Sequence, residues 1–211
     1  LYPTVSVLVS AYNEEKNIEQ KIRNLFELEY PDERIEILIG SDGSTDRTDE
    51  IIKNVIASSS DNEKSRASFN SRGNLPTFYH PGAGGFGDQA DSIHKSIWFF
   101  RQEPRKGKPS MLNVLAQQAK GDILVLTDAR QRVDIGAIQE LVKYFDDPKV
   151  GSVSGELHYE SDAENRTAAG LGIYWKYEKF IRKSESRMGS MLGATGALYA
   201  VRRDLFPLLP P

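Results

Sequence analysis

Two hydrophobic patterns alternate along most of the chain. Short runs of apolar, often branched residues are typical of strands buried on both faces of a sheet. They occur at Val5–Asn13, Ile35–Ile39, Ile97–Phe100, Ile123–Thr127, Val150–Ser154 and Leu198–Val201. Between these runs, apolar residues recur every three or four positions, which predicts amphipathic helices at 18–28, 51–56, 109–119, 135–145 and 170–187. This order predicts an α/β fold with a parallel sheet and right-handed crossovers.

Residues 58–92 interrupt this rhythm. The segment is rich in Ser, Gly, Asn and Pro and has no apolar period. We therefore expect a single domain spanning residues 1–211 with a flexible insert at 58–92. The letters GAGGFG at 82–87 match a dinucleotide-binding loop, but they follow His80-Pro81 rather than a strand. That position makes a dinucleotide site a weak interpretation.

Composition excludes several classes of site. The 211 residues contain no cysteine, which rules out disulfides, zinc–thiolate sites and thiol nucleophiles. The net charge of −3 gives no indication of a nucleic-acid partner. The uncharged runs, such as Met188–Val201, are too short to span a bilayer, so we expect this chain itself to be soluble. Because it begins with Leu and ends with Pro, we expect a longer parent polypeptide that could carry membrane helices.

Polar clusters follow three of the predicted strands. They are SAYNEE at 10–15, SDGSTDRT at 41–48 and TDARQ at 127–131. Open parallel sheets bind ligands at the carboxyl ends of their strands, where these clusters are expected to meet. Helix capping explains Ser44–Asp46 but not Asp42 and Gly43, so capping and ligand binding are equally good interpretations of the second cluster.

Charged residues add two candidate features. Asp128 could hold a ribose hydroxyl or a divalent cation, although a strand-end turn residue is the simpler interpretation. A basic group precedes the helix that begins near Pro109, at a place suited to a diphosphate, although such a group is usually a solvated surface. It comprises Arg101, Arg105, Lys106 and Lys108.

Five segments, taken in order, resemble the family-2 glycosyltransferases. They are PTVSVLVSAYNEE, SDGSTDRT, GKPSMLN, GDILVLTDAR and GATGALYAVRRDLF, and they cover nearly the whole chain outside residues 58–92. The resemblance implies the GT-A fold, a Rossmann-like, mostly parallel α/β sheet flanked by helices on both faces.

The resemblance also implies roles for individual residues. Asp42 would accept the uracil N–H, Asp128 would be the first acid of the D-x-D motif and a ligand of Mg²⁺ or Mn²⁺, and Asn113 would support the loop of Lys108. The implied donor-binding residues are Ala11, Tyr12, Glu14, Asp42, Lys108, Asp128 and Arg130. Those implied beside the donor sugar and acceptor are Gly193, Gly196, Arg202 and Arg203.

The chain departs from the family pattern at two points. Arg130 stands where the second acid of D-x-D is usual, so metal binding by two carboxylates is in doubt and Arg130 could instead face the diphosphate. No acidic pair follows Arg203, so we expect the catalytic base to lie beyond Pro211.

The expected function is that of an inverting hexosyltransferase. The resemblance implies a UDP-sugar donor, an acceptor hydroxyl on a glycan or lipid, a role in polysaccharide biosynthesis, and a full-length protein at the cytoplasmic face of a membrane. Two alternatives stay open. A sugar-nucleotide nucleotidyltransferase would carry a Gly-rich basic loop where this chain has AYNEE, and a non-catalytic module would bind the nucleotide sugar without transfer.

Overall fold

The computed structural model describes residues 2–59, 67–69, 79–81, 96–156 and 197–210. Within them, the α-helices are α1 (Ile18–Phe26), α2 (Thr48–Ser59), α3 (Lys108–Gln118) and α4 (Ala137–Val142). The strands are β1 (Val5–Ala11), β2 (Ile35–Asp42), β3 (Ala67–Phe69), β4 (Tyr79–Pro81), β5 (Ser96–Gln102), β6 (Ile123–Asp128), β7 (Ser152–Ser154) and β8 (Leu198–Arg202). No helix in this part of the chain is long and apolar enough to cross a bilayer.

The strands form a single sheet in the order β3-β4-β5-β2-β1-β6-β8-β7. The four central strands are parallel, and Val5 of β1 pairs with both Ile35 of β2 and Ile123 of β6. The outer strands on both sides are antiparallel to their neighbours. The predicted parallel sheet is therefore confirmed for the centre, while the antiparallel edges are an addition that the hydrophobic pattern did not indicate.

Successive residues of the central strands face two separate cores. Val5, Val7 and Val9 of β1 pack with apolar residues of α1, α2 and α4 on one face. Leu8 of the same strand packs with α3 on the other face, together with Leu38 of β2. Burial on both sides explains why these strands are apolar almost throughout. The expected arrangement of helices on both faces is confirmed.

Helix α3 lies especially close to the sheet. Gly40 of β2 faces it, and a Cβ at this position would overlap the Sδ of Met111. Met111 is itself fully buried. The close approach fixes the start of α3, which carries Lys108, beside the carboxyl ends of the central strands.

Two predicted segments differ in the structure. Part of the predicted flexible insert forms strands, because β3 and β4 pair with each other and Tyr79 pairs with Phe99 of β5. The helix predicted at 135–145 divides into α4 and a 3-10 turn at Lys143–Asp146. The remainder of the insert between 60 and 92, and the helix predicted at 170–187, lie outside the described residues.

Candidate functional site

A cleft of about 350 Å³ opens at the carboxyl ends of β1, β2 and β6. These strands are neighbours in the sheet, so their end loops converge on one edge. The lining residues are Ser10, Tyr12, Glu14, Asp42, Arg105, Lys108, Asp128, Ala129, Arg130 and Gln131. The structure thus brings together six of the seven predicted donor-binding residues, all except Ala11, which is buried at the end of β1.

The loops that follow β1 and β2 are hydrogen-bonded to each other. The backbone N–H of Asn13, a residue with a left-handed φ of 52°, donates to the Ser44 hydroxyl over 3.2 Å. The Asn13 side chain accepts the backbone N–H of Thr45 at 2.9 Å, and the Thr48 hydroxyl accepts the backbone N–H of Glu14 at 2.8 Å. The SDGSTDRT cluster therefore has a role that neither capping nor ligand binding describes, which is to hold the loop that carries Tyr12 and Glu14.

Asp42 is a buried carboxylate, 2% exposed, at the end of β2. Its oxygens accept the Gln102 side-chain amide at 2.8 Å and the backbone N–H groups of Lys106 and Gly107 at 2.9 and 2.7 Å. Asp42 thus fixes the loop between β5 and α3 to the strand end. A carboxylate has about four lone-pair positions, so these three hydrogen bonds leave Asp42 about one more. That Asp42 also accepts an N–H of the nucleotide base stays a prediction.

Gly43 and Arg105 show how closely this loop approaches the strand end. Gly43 has a left-handed φ of 66°, and a Cβ there would lie 2.9 Å from the backbone nitrogen of Arg105. The Arg105 guanidinium lies over the Tyr12 ring, 3.9 Å from its centroid. Arg105 therefore lies beside Tyr12, one of the residues predicted to bind the nucleotide. The sequence showed Arg105 only as part of a basic group and did not predict this contact.

Each carboxylate in the cleft has a cationic partner. The Lys108 ammonium contacts Asp128, and the Nε of Arg130 lies 2.8 Å from Glu14. The Nε of Arg105 lies 3.9 Å from Asp42. The charged lining is therefore balanced, three cations against three anions.

Lys21 lies behind the cleft and was missed by the sequence analysis. This α1 residue is only 3% exposed, and its ammonium donates to the Thr127 hydroxyl at 2.9 Å and the Gln131 carbonyl at 2.7 Å. Burial lowers the pKa of Lys21 to about 7, and the negative charge of Asp128 opposes that shift. The available signal was spacing, since Lys21 follows the buried Ile18 by three positions and so belongs to the inward face of α1.

Comparison with known families agrees with this geometry. The model of "Glycosyl transferase family 2" matches residues 6–73 and 85–208. The chain belongs to glycosyl transferase family 2.

Relatives within the family cover most of the chain. "Probable glycosyltransferase YdaM" of Bacillus subtilis is 30% identical over 172 residues, 81% of this chain and 33% of the relative. "Beta-monoglucosyldiacylglycerol synthase" of Synechocystis is 26% identical over 192 residues, 90% of this chain and 33% of the relative. "Poly-beta-1,6-N-acetyl-D-glucosamine synthase" of Staphylococcus aureus is 30% identical over 152 residues, 72% of this chain and 28% of the relative. The chain thus spans about a third of the length of these relatives.

A solved structure has the same fold. It is the "Mannosyltransferase PcManGT from Pyrobaculum calidifontis in complex with GDP-Man and Mn2+", with a TM-score of 0.70 and 24% identity. The match covers 97% of this chain and 46% of that one. The GT-A fold implied by the sequence is confirmed.

Of the residues predicted on the sugar and acceptor side, the described ones, Arg202 and Arg203, lie away from the cleft. Because β8 is antiparallel to β6, Arg202 pairs with Ile123 at the start of β6, whereas Asp128 is at its end. The Arg202 guanidinium donates to the carbonyls of Phe145, Val150 and Asp147 at 2.8, 2.8 and 3.1 Å. The backbone of Arg203 also binds at that far edge, to Asp122. Arg202 and Arg203 thus lie at the edge of the sheet opposite the one the resemblance implied, while Gly193 and Gly196 lie outside the described residues.

Asn113 does not support the loop of Lys108 as expected. Its side-chain amide donates to the Leu209 carbonyl and accepts the Leu209 backbone N–H, both at 2.8 Å. This pair of bonds ties the segment after β8 to α3. Asn113 is therefore part of the packing of that segment.

The acidic residues fit a divalent cation only in part. No group of three potential metal-ligating side chains occurs within the described ranges. Asp128 is the predicted metal ligand, and Arg130, at the position where the resemblance implies a second acid, pairs with Glu14 instead. Mg²⁺ and Mn²⁺ are commonly held by one or two carboxylates together with substrate phosphates. Asp128 could therefore hold such a metal only together with phosphate oxygens of a bound substrate.

Proposed function

We propose that the cleft binds a UDP-sugar and that the whole protein transfers its sugar, with inversion, to a hydroxyl of a glycan or lipid acceptor. The observation that carries this proposal is the convergence of Tyr12, Asp42, Lys108 and Asp128 at one strand edge. In the family the chain resembles, these motifs serve the donor. Base, diphosphate and sugar then have adjacent partners along one cleft.

The base is placed against Tyr12. The Tyr12 side chain is the partly exposed aromatic ring of the cleft, and Arg105 already lies over it. Stacking a base on an aromatic ring contributes roughly 1–3 kcal/mol. The remaining acceptor capacity of Asp42 suits an imide N–H of uracil, which is the basis for choosing UDP as the nucleotide.

The diphosphate is placed against Lys108 and Arg130. Both side chains are at least half exposed, so each can turn from its carboxylate toward a phosphate. Arginine offers two parallel N–H donors to phosphate oxygens, and lysine a concentrated charge. Mg²⁺ or Mn²⁺, where bound, would be held by Asp128 and would supply positive charge to the leaving diphosphate.

Transfer then follows as a single displacement. A base removes the proton of the acceptor hydroxyl, and the hydroxyl oxygen bonds to the anomeric carbon as that carbon's bond to the diphosphate oxygen breaks. Attack opposite the leaving group inverts the anomeric centre. We place the base in the longer protein, beyond Pro211.

The names of the relatives support the acceptor class. One is a synthase of a diacylglycerol glucoside and another of an N-acetylglucosamine polymer. A lipid acceptor would bring the whole protein to a membrane surface, and we propose its cytoplasmic face. That location is part of the proposal for the longer protein.

Calorimetric titration with UDP and GDP, with and without Mn²⁺, tests the donor site. We expect UDP to bind more tightly than GDP, and Tyr12→Ala to weaken UDP roughly tenfold through loss of stacking. Tyr144→Ala is a matched control, because Tyr144 is 54% exposed and is not among the cleft residues. The proposal would be refuted if the unmodified protein bound neither UDP nor GDP.

A further inference from the structure

We propose that Lys21 is a positioning residue of the donor site, which holds the turn carrying Asp128 and Arg130 in the geometry that binds a diphosphate. The inference deepens the proposed function and rests on it.

Lys21 spans the turn from behind. Its ammonium donates to Thr127, which precedes Asp128, and to the carbonyl of Gln131, which follows Arg130. The two acceptors are thus the first and last residues of the five-residue segment 127–131. Fixing both ends with one cation limits how far the side chains between them can move relative to the cleft.

Asn24 provides a comparison within the same helix. It lies three residues after Lys21, is 4% exposed, and donates to and accepts from the backbone of Val133 at 2.8 Å each. Asn24 therefore anchors the chain beyond the turn, whereas Lys21 anchors the turn itself. Both residues contribute two hydrogen bonds to the same loop.

Packing alone does not account for a lysine at this place. Burying an ammonium group costs free energy that an apolar side chain of similar length would avoid. The neighbouring inward positions of α1 are Ile18, Ile22 and Leu25, all fully buried. What the lysine adds is a hydrogen-bond donor to Thr127 and Gln131, the residues that flank Asp128–Arg130.

The consequence is selective for one part of the ligand. Residues 128–131 contribute Asp128, Ala129, Arg130 and Gln131 to the cleft, while Tyr12 follows β1 and Asp42 ends β2. Loss of the Lys21 bonds should therefore weaken contacts to the diphosphate and leave contacts to the base in place. A purely structural loss would instead affect every ligand alike.

The experiment compares Lys21→Met with Asn24→Leu, each removing two hydrogen bonds from α1 to the loop. UDP affinity is measured by calorimetry, and uridine affinity by competition against UDP, below both thermal midpoints. We expect Lys21→Met to weaken UDP about tenfold, the size of one charge-assisted hydrogen bond, with uridine unchanged. Asn24→Leu should lower the thermal midpoint and leave the ratio of UDP to uridine affinity unchanged.

Thr127→Val is the second variant, in case Lys21→Met does not fold. It removes one hydrogen-bond acceptor of the Lys21 ammonium and should weaken the binding of UDP but not that of uridine. Combined with Lys21→Met, it should weaken UDP binding little further.

The outcomes separate the two proposals. If the unmodified protein binds no UDP, the proposed function fails. If it binds UDP but both variants at 21 and 127 leave the UDP-to-uridine ratio unchanged, Lys21 is structural only and the inference is overturned.

Discussion

At the scale of single residues, Asp42 and Lys21 show that buried charges organise this cleft. Asp42 fixes the β5–α3 loop by accepting three hydrogen bonds, and Lys21 fixes the loop after β6 by donating two. The position of Asp42 after a strand made it recognisable in the sequence. Its partners were not, because Lys106 and Gly107 lie more than sixty residues away along the chain and contribute only backbone groups.

Asp42→Ala should destabilise the protein as well as weaken any ligand. It leaves two backbone N–H groups without their acceptor, which we expect to lower the free energy of unfolding by roughly 2–3 kcal/mol. Urea denaturation followed by circular dichroism measures this. Asp204→Ala, at an exposed position, is the control, and equal stability of the two variants would contradict the role assigned to Asp42.

Lys21 should make stability rise with pH above neutrality. Its folded-state pKa of about 7 is below the ordinary value of 10.5, so between these values the unfolded chain binds one more proton. The contribution therefore increases with pH, by at most about 1.4 kcal/mol per pH unit. Burial raises the pKa of Tyr30, so above pH 10 this residue makes the stability fall as the pH rises.

Urea denaturation at pH 7 and pH 9 isolates this effect. The gain in stability of the unmodified protein between the two values should exceed that of Lys21→Met. Identical gains would show that Lys21 does not release its proton in this range.

At the scale of elements, the contact between α3 and β2 fixes the start of the helix that presents Lys108. Gly40→Ala would push the buried Met111 off the sheet, and we expect a loss of roughly 1–3 kcal/mol from overpacking. UDP affinity should fall as well, because the beginning of α3 moves with the helix.

Thermal denaturation and UDP titration together check this effect of Gly40→Ala. Gly136→Ala is the control, since a Cβ there meets only Asp134, at 3.6 Å. Adding Met111→Ala should recover part of the affinity if overlap with Met111 is the cause.

The element patterns also explain what the sequence could and could not predict. The central strands were recognisable because both of their faces are buried, which leaves almost no polar positions. The three-residue strands β3 and β4 are too short to show a period. Arg202 was expected beside the donor sugar only because of the family resemblance, and antiparallel β8 places this residue at the far edge of the sheet.

At the scale of the whole molecule, the cleft combines loops from three parallel strands with balanced charge. Arg130 is central to that balance because it neutralises Glu14 and stands where the family usually has an acid. A diphosphate entering this cleft would add negative charge, so the cations there determine how far binding depends on a metal.

Arg130→Asp should make UDP binding dependent on Mn²⁺. Without metal, the added negative charge should lower the affinity for UDP by about tenfold or more. Mn²⁺ should restore much of that affinity. Arg132→Asp, at a 73% exposed side chain outside the cleft, is the matched control. Calorimetry with and without Mn²⁺ decides, and equal Mn²⁺ dependence in both variants would contradict the prediction.

The hydrogen bonds between the first two end loops have a consequence for protein engineering. Asn13 and Glu14 are held by Ser44, Thr45 and Thr48, so neither loop has a complete set of partners without the other. Grafting the SAYNEE segment from another transferase would leave donors and acceptors unmatched unless its SDGSTDRT counterpart came with it. An exchange of donor preference between relatives should therefore replace both segments, 10–15 and 41–48, together.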